Sequence, residues 1–379
     1  MRRKGLGAMS DRPYDGIRVL EFAGLGAAPF ACSLLADAGA DVIRIERPGG
    51  TPTTPSPTFR GRTTIEADLK NADDCARVRE IATRADVLVE GFRPGVMERL
   101  RLGPGDLCHD HPGLVYARMT GWGQFGPAAH EPGHDLNYLA MSGAARSIAR
   151  EDEDPVPPLN MIADYGGGLM LAYGIGLALF ERRTSGRGQV IDAAMADAAL
   201  LLMSGLWQRK AEGRWSPVPG TNDMDSGAPF YNSYRTSDGH YMAVGSVEPR
   251  FYKNLLRVLG LQHDLHDLQN DRARWPEAKR RIGDVFATKT RAEWTTLFAG
   301  AEACVTPVNA VEEVTSDPHV RARAMMLDQN GIKFPAAAPR LSRTELKLSD
   351  SSIRPLALHD VVEQWRSADA TQQPVKEGM

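Results

Sequence analysis

Residues 16–46 read GIRVLEFAGLGAAPFACSLLADAGADVIRIE, and this stretch decides the fold. The apolar run Gly16–Phe22 predicts a buried parallel strand, because strands covered on both faces are continuously hydrophobic. Ala27–Ala38 predicts a helix that follows a glycine-rich turn, and Asp41–Ile45 predicts a second strand. A strand, a helix and a strand at such short intervals predict a right-handed crossover in a parallel sheet.

The alternation of helices and strands continues outward from this stretch. Asp74–Arg84 predicts a helix, Asp86–Glu90 a third strand and Leu114–Met119 a fourth. The sequence therefore predicts an α/β protein whose N-terminal part is a doubly wound, Rossmann-like sheet.

Beyond residue 135 the pattern changes. Helices are predicted at Tyr138–Ala149, Gly166–Arg183 and Ile191–Lys210, and residues 211–229 have the Gly, Pro, Ser and Asp content of a linker. The stretch YNSYRTSDGHYMAVGS then predicts a hairpin that turns at Asp238-Gly239. The remaining predicted elements are helices at Phe251–Leu259, Trp275–Ala287, Arg291–Phe298 and Leu358–Ala368, a strand at Val305–Asn309 and strand-like pieces around Leu327–Phe334.

The composition excludes several classes of protein. A net charge of −3 over 379 residues lacks the basic excess that nucleic-acid binding needs. The most apolar helical run, Leu169–Phe180, is too short to span a bilayer, so we expect no membrane partner. The N-terminus lacks the apolar core of a secretory signal, and Met9 is a second candidate start. Four scattered cysteines without a CxxC pair indicate a reducing compartment, and we expect the cytoplasm.

Two local patterns resemble binding motifs that we reject. Gly24–Pro29 with Glu46 is a partial dinucleotide fingerprint, but Pro29 stands where the third glycine should allow close helix packing. The arginines that flank Glu46 suit a phosphate better than a bare ribose. Cys108–His111 consists of adjacent residues, which rarely converge on one ion, so we predict no metal site.

Three ionisable residues share a setting that suggests proton transfer. His134, Asp164 and Glu248 each precede or begin a predicted helix. Helix N-termini offer unpaired N–H groups that stabilise negative charge developing on an oxygen. A histidine and a carboxylate on opposite sides of one carbon are able to take a proton from one face and return one to the other.

A plainer interpretation stays open for each of these residues. Aspartate is a favoured N-cap, so Asp164 and Asp135 are each able to cap a helix, which leaves His134 as a loop residue. Glu248 is a weak cap and also fits a solvent-exposed position. The glycines beside the first two sites, Gly133 and residues 166–168, favour the functional interpretation, because they let a ligand approach the backbone.

A series of blocks carries a family resemblance. They include GIRVLEFAGLG, ADVIRIERP, DVLVEGFRPGVMERL, GHDLNYLAMSG, PLNMIADYGGG and YRTSDGHYMAVGSVEPRFY, in that order between Gly16 and Ala368. The chain resembles the class III CoA-transferase (CaiB/BaiF-type) superfamily, specifically its α-methylacyl-CoA racemase branch.

The resemblance implies an architecture that periodicity does not reveal. The family forms interlocked homodimers in which a large α/β domain is built from both ends of the chain and a smaller α+β domain lies between them. For this chain it implies a large domain at residues 10–205, a linker at 206–229, a small domain at 230–312, and a linker and returning C-terminal part at 313–379.

The resemblance also assigns roles. His134 and Asp164 match the two acid/bases of the racemases, and Glu248 of the partner subunit matches the carboxylate that pairs with the histidine. The N–H of Asp135 is expected to receive the thioester oxygen. The residues expected around CoA and its thioester are Arg47, Ala67, Lys70, Gly91, Phe92, Arg93, Arg99, Gly133, Asp135 and Tyr138.

The implied activity is inversion of C2 in 2-methylacyl-CoA thioesters, a step in lipid metabolism. The thioester supplies the acidity, so we expect no metal or redox cofactor, and CoA enters as the carrier of the substrate. The alternative is CoA transfer between carboxylic acids through an acyl anhydride on Asp164. A branched fatty acid, a sterol side chain and an aryl-propionate all remain candidate acyl groups, and four methionines are candidates to line their pocket: Met195, Met203, Met224 and Met242.

Overall fold

The computed structural model describes residues 12–150 and 153–372, so Met9 and the end of the C-terminal tail lie outside the described residues. The strands, in chain order, are β1 (Arg18–Phe22), β2 (Asp41–Glu46), β3 (Arg62–Glu66), β4 (Val87–Glu90), β5 (Val115–Thr120), β6 (Val190–Ala194), β7 (Tyr231–Arg235), β8 (Tyr241–Gly245), β9 (Val305–Pro307), β10 (Met326–Gln329), β11 (Ile332–Pro335) and β12 (Arg354–Leu356). The α-helices are α1 (Ala27–Asp37), α2 (Ala72–Ala82), α3 (Val96–Arg99), α4 (Pro104–Asp110), α5 (Asp135–Ser142), α6 (Ala144–Ile148), α7 (Gly166–Ser185), α8 (Met195–Leu202), α9 (Ser204–Ala211), α10 (Pro249–Leu259), α11 (Trp275–Phe286), α12 (Arg291–Phe298), α13 (Pro318–Ala322) and α14 (Leu358–Gln372).

The chain divides into two units. Among the described residues, the first unit comprises residues 12–141, 158–202 and 323–372, and the second comprises residues 142–150, 153–157 and 203–322. The first unit therefore combines an N-terminal and a C-terminal part of the described chain.

Seven parallel strands form the sheet of the first unit, in the order β12-β3-β2-β1-β4-β5-β6. The chain starts at β1, moves outward through β2 and β3, then returns to β4 on the other side of β1 and moves outward again. The prediction of a doubly wound α/β sheet is confirmed. The strand order reverses between β1 and β4, and such a reversal opens a crevice at the carboxyl ends of the strands.

Alternate residues of the strands belong to two separate hydrophobic cores, one on each face of the sheet. Val19 packs with α1 and α7 on one face of the sheet, and Leu20 packs with α2 and α14 on the other. Both side chains are fully buried. Because the central strands β1, β2, β4 and β5 are covered on both faces, buried residues follow one another along them and do not alternate with exposed ones.

Two strands correct the sequence prediction. The segment at 191–210, predicted to be one helix, begins as the edge strand β6 and continues as α8 and α9. Its alanines and leucines favour a helix, but pairing with β5 holds its first residues extended. Strand β3 was not predicted, because RTTIE is polar and carries no hydrophobic run.

The helix predicted at Tyr138–Ala149 is two helices. It starts earlier, at Asp135, and breaks between α5 and α6 at Gly143, whose φ is 84°. This left-handed conformation suits glycine, because other residues are strained there. The break leaves α5 as a short helix whose N-terminus lies beside His134.

Buried charges tie the first three strands together. The fully buried carboxylate of Glu21 on β1 accepts from Arg44 Nη1 on β2 at 2.5 Å and from Arg62 Nε on β3 at 2.7 Å. Arg44 Nε also donates to Glu46 at 2.8 Å. Arg44 is thus committed to an internal ion network, so it does not serve as the phosphate ligand that its sequence position suggested.

The second unit is an α+β structure. Strands β7, β8 and β9 form an antiparallel sheet, and the predicted turn at Asp238-Gly239 joins the first two. Helices α10, α11 and α12 pack against this sheet through large aromatic side chains, among them Tyr252, Trp275 and Trp294.

The C-terminal segment completes the sheet of the first unit. Strand β12 pairs in parallel with β3, and α14 packs beside α2 with Trp365 almost fully buried. The strand-like pieces near residue 330 form the β10–β11 hairpin.

Glu21→Gln should destabilise the first unit. The substitution leaves two buried guanidinium groups without their shared negative charge, and breaking a buried ion pair in this way costs about 3–5 kcal/mol. Urea titration of the free energy of unfolding measures the loss. Glu277→Gln, at an exposed ion pair with Arg274, is the matched control and should change little. Equal stability of the two variants would contradict this account of the network.

Candidate active site

Two adjoining cavities open at the carboxyl ends of the central strands. The inner cavity, of about 280 Å³, is lined by the residues that follow β1, β4 and β5: Gly24, Leu25, Ala28, Gly91–Pro94, Met119–Trp122, Ala129, Glu131–His134, Tyr138 and Met195. The outer groove, of about 540 Å³, is lined by Phe22–Leu25, Arg44–Arg47, Gly50, Pro52, Phe59, Ala67–Lys70 and Phe92. Both include Gly24, Leu25 and Phe92, so the two spaces adjoin along these residues. They lie where the reversal of strand order predicts a ligand crevice.

His134 immediately precedes α5, and its imidazole lines the inner cavity. Its backbone N–H donates to Asn137 Oδ1 at 3.0 Å, and its carbonyl accepts from the Asn137 N–H at 2.8 Å. The backbone of His134 and the side chain of Asn137 therefore close the start of the helix. The imidazole is left to face the cavity.

Asp164 lies in a single π-helical turn, Met161–Tyr165, directly before α7. The N-cap of α7 is Tyr165, so the capping interpretation of Asp164 is wrong. Its half-buried carboxylate accepts from Asn160 Nδ2 at 3.1 Å. A Cβ added to Gly26 would lie 2.9 Å from Asp164 Oδ2, so the bare backbone at the start of α1 makes room for this carboxylate.

Asp135 links the start of α5, beside His134, to the turn that carries Asp164. Its Oδ2 accepts from the backbone N–H of Ala163 at 2.8 Å and from that of Asp164 at 2.9 Å. The residue is 6% exposed. Its carboxylate thus holds the turn that carries Asp164, 28 and 29 residues along the chain, instead of capping α5.

The surroundings of Asp164 raise its pKa. Desolvation by burial is the largest cause, and the negative charge of Asp135 acts in the same direction. The hydrogen bond from Asn160 and the charge of His134 act in the opposite direction. The raised pKa keeps more of the carboxyl protonated near neutral pH, as a proton donor requires.

Tyr138 fixes the loop that precedes His134. Its hydroxyl donates to the Gly133 carbonyl at 2.6 Å, and its ring meets that of Trp122 edge-on at 4.8 Å. Gly121 leaves room for the hydroxyl, since a Cβ there would lie 2.1 Å from it. Burial, with the charges of Asp164 and Asp135, raises the pKa of Tyr138 to about 12.

Of the residues expected around CoA and its thioester, all but Arg99 and Asp135 line one or both of the two spaces. Arg47, Ala67 and Lys70 line the outer groove, whereas Gly91 and Arg93 line the inner cavity. Phe92 belongs to both, as does the loop after β1. Arg99 is exposed on α3 and is absent from the lining of either cavity among the described residues.

Glu248 belongs to the second unit. It is exposed, immediately precedes α10 and makes no side-chain capping hydrogen bond. Its carbonyl instead accepts from the N–H groups of Phe251 and Tyr252, each at 3.0 Å. The carboxylate is thus not used to close its own helix.

The candidate methionines separate by location. Met195 lines the inner cavity, whereas Met242 is fully buried in the aromatic core of the second unit. Met242 therefore fills the core, and of this set Met195 is the one that reaches the inner cavity.

Sequence reasoning missed several residues of the site, among them Gly26, Trp122 and Asn160. Trp122 stands in a glycine-rich run, TGWGQFG, that gives no sign of its packing against Tyr138. Asn160 precedes Asp164 by four residues, a spacing at which side chains meet on one helix face. That spacing was a usable signal for Asn160.

Several known proteins are similar to this chain in sequence and fold. The profile described as CoA-transferase family III matches residues 14–356. The chain is 49% identical over 333 residues to the alpha-methylacyl-CoA racemase of Mus musculus, covering 87% of this chain and 86% of that protein. It is 46% identical over 332 residues to that of Homo sapiens, with 87% of each covered. The crystal structure of hypothetical protein Rv3272 from Mycobacterium tuberculosis superposes with a TM-score of 0.78 at 27% identity, covering 93% of this chain and 99% of that one.

A spectrophotometric titration checks the burial of Tyr138. With a pKa of about 12, its phenol should be about one-tenth ionised at pH 11, where an ordinary tyrosine is about nine-tenths ionised. The folded protein and its Tyr138→Phe variant should therefore show almost equal phenolate absorbance at that pH. In concentrated guanidinium the two should differ by one full phenolate. A full phenolate of difference in the folded proteins would contradict the burial.

Proposed function

The chain belongs to CoA-transferase family III, and we propose that it is a racemase that inverts C2 of 2-methylacyl-CoA thioesters by 1,1-proton transfer. The observation that carries this proposal is the linkage, through Asp135, of two proton-transfer groups that are distant in the sequence. His134 lines the inner cavity, and Asp135, the next residue, holds the turn that carries Asp164. Racemisation needs one acid/base on each face of a carbon, and this pair supplies them.

In this proposal the CoA moiety occupies the outer groove and the thioester enters the inner cavity. Arg47 and Lys70 offer positive charge to the phosphates along the groove. The N–H of Asp135, at the first residue of α5, has no acceptor within the helix, so it is free for the thioester oxygen. Gly133, beside it, lets the substrate approach the backbone. Met195 lines the inner cavity near the acyl chain.

The reaction is a proton exchange at C2. Neutral His134 removes the C2 proton, and the electrons of the C–H bond move onto the thioester oxygen to give a planar enolate. Protonated Asp164 then donates its proton to the opposite face of C2, and the thioester carbonyl re-forms. For the other epimer Asp164 is the base and His134 is the acid, so atoms and charge balance in both directions.

Two effects contribute to the proposed acceleration of the reaction. General acid–base catalysis contributes about 10²–10⁴-fold, and a backbone donor at the enolate oxygen contributes about 10²–10³-fold. The raised pKa of Asp164 brings its acid strength closer to that of the histidine, which suits a reaction that runs both ways. The thioester itself acidifies C2, so the proposed chemistry requires no metal or redox cofactor.

We also propose that the protein works as an interlocked homodimer. On α7, Leu169, Tyr173, Leu177 and Phe180 are 51–75% exposed and lie along one side of the helix. The opposite side, including Leu171 and Ile175, is buried in the core of the first unit. A contiguous exposed apolar stripe of this kind indicates an interface.

A second copy of the chain is the proposed cover of this stripe. By length and composition alone Met161–Ser185 is also long and apolar enough to cross a membrane. However, 44% of an 18-residue apolar window within this segment is buried inside the protein. In a homodimer, Glu248 of the partner subunit would pair with His134 and orient the imidazole. Four unpaired thiols accord with the reducing cytoplasm that we propose as its location.

The first test is incubation with a single epimer of a 2-methylacyl-CoA in D₂O, without an acceptor acid, followed by NMR. Deuterium should enter C2 while stereochemical purity is lost, because each turnover passes through a planar enolate. His134→Ala and Asp164→Ala should each slow epimerisation by at least about 10²-fold, since each removes one acid/base. His263→Ala, at an exposed histidine of the second unit, is the matched control and should retain the wild-type rate.

A different result would overturn this function. If the wild-type protein exchanged no deuterium, and the thioester turned over only after a free carboxylic acid was added, the protein would be a CoA-transferase. Asp164 would then form an acyl anhydride. Trapping that anhydride with hydroxylamine distinguishes the two activities.

Phe180→Asp should convert the homodimer to monomers. A buried, unpaired carboxylate at the centre of an apolar interface costs several kcal/mol, and light scattering after size-exclusion chromatography measures the mass. Val311→Asp, at an equally exposed apolar residue of the second unit, should leave the mass unchanged. A wild-type protein that is monomeric, or a Phe180→Asp variant that stays dimeric, would remove α7 from the interface.

A further inference from the structure

We infer that Asp135 is a positioning residue whose side-chain carboxylate sets the place of Asp164 relative to His134, which lines the inner cavity. This inference rests on the proposed racemase function. It concerns the side chain of Asp135, whereas the proposed contact with the thioester concerns only its backbone N–H.

The geometry is that of a carboxylate anchor. A single oxygen, Oδ2, accepts from two consecutive backbone N–H groups, those of Ala163 and Asp164, at 2.8 and 2.9 Å. The other oxygen, Oδ1, is buried and has no hydrogen-bond partner among the described residues. A buried ionised carboxylate is costly unless hydrogen bonds compensate it. These two hydrogen bonds therefore account for the presence of an aspartate at this position.

The turn that Asp135 holds has little support of its own. It is a single π-helical turn, a form that is rare and often marks functional sites. The backbone bond that closes it, from the Tyr165 N–H to the Asn160 carbonyl, is long at 3.4 Å. The two N–H groups held by Asp135 lie at the amino end of the turn, where a helix has no acceptors of its own. Without the carboxylate, both would lose their acceptor, and the N–H of Ala163 would be buried and unpaired.

The position of Asp135 in the chain gives this anchor its effect on the reaction. Asp135 follows His134 directly, so the anchor fixes the second acid/base relative to the first, although the two are 30 residues apart. A displacement of about 1 Å at a reacting group costs about 10²-fold in rate. A short, rigid connection between the two groups therefore serves a two-base mechanism.

The charge of Asp135 adds a second, separable effect. The ionisable groups that face Asp164 are His134, Asp135 and Tyr138, and Asn160 contacts it as a neutral donor. Burial is the main cause of the raised pKa of Asp164, and the charge of Asp135 raises it further. Replacing that charge with a neutral group should lower the pKa of Asp164 while the hydrogen bonds remain.

Two substitutions separate the anchor from the charge. Asp135→Ala keeps the backbone N–H but removes the acceptor. Deuterium exchange at C2 should therefore fall at least about tenfold for the epimer whose proton faces Asp164, and stay within about threefold for the epimer that faces His134. Asp135→Asn keeps an oxygen in the place of Oδ2, so it should restore most of the exchange lost in Asp135→Ala. The KM for the thioester should change little in either variant.

The pH profile of Asp135→Asn reports the charge. Epimerisation that starts with proton removal by His134 requires a protonated Asp164, so the rate of epimerisation, unlike that of deuterium exchange with retention, falls as the pH rises through the pKa of Asp164. Removing the negative charge of Asp135 lowers that pKa, so this alkaline limb should move to lower pH. Asp317 is the matched control, because its Oδ1 also accepts from two consecutive N–H groups, at 2.8 and 3.1 Å, outside this site. Asp317→Asn should leave the profile unchanged.

Several outcomes would overturn the inference. Wild-type exchange in Asp135→Ala, an equal loss for both epimers, or an Asp135→Asn variant as slow as Asp135→Ala would each do so. If circular dichroism finds Asp135→Ala unfolded, the Asp135→Asn profile decides, and an unmoved alkaline limb rejects the inference. Wild-type protein that exchanges neither epimer would instead reject the proposed function, so the two failures are distinguishable.

Discussion

The reversal of strand order between β1 and β4 is the constraint on which the site depends. The crossover after β1 runs over one face of the sheet, and the crossovers that lead into and out of β4 run over the other. The loops at the carboxyl ends of these two central strands therefore diverge, and no helix fills the space between them. Both cavities lie at this edge, and the glycines that follow β1 and β4 keep the crevice open to a ligand.

The same central strands carry buried charge directly beneath the outer groove. The carboxylate of Glu21 forms ion pairs with both Arg44 and Arg62, so β1, β2 and β3 share one ion network in which the buried charges compensate one another. Arg44 lines the groove yet is 3% exposed and already paired. Exposed cations such as Arg47 and Lys70 remain for the phosphates of a ligand. The groove thus combines a buried internal ion network with exposed positive charge.

The chemistry of the site depends on hydrogen bonds to the backbone. Asn137 closes the helix that follows His134, Tyr138 fixes the loop before it, and Asp135 holds the turn of Asp164. Each of these contacts uses a polar side chain to satisfy a backbone group that regular secondary structure leaves unpaired. The consequence is that both acid/bases are presented by short, supported segments at helix N-termini.

The sequence by itself determined the α/β class, the central strands, the hairpin at Asp238-Gly239 and the family, because buried strands, turns and conserved-looking blocks are local patterns of residues. It also singled out His134 and Asp164 through their neighbouring glycines. Only the tertiary structure decided that residues 190–194 pair with β5 as a strand. It also decided that Arg44 forms ion pairs inside the protein, and that Asp135 holds the turn of Asp164 instead of capping α5. These outcomes depend on partners 23–70 or more residues away, such as Glu21, Ala163 and β5. Local periodicity does not encode such distant contacts, because the partner of a side chain is chosen only when the chain has folded.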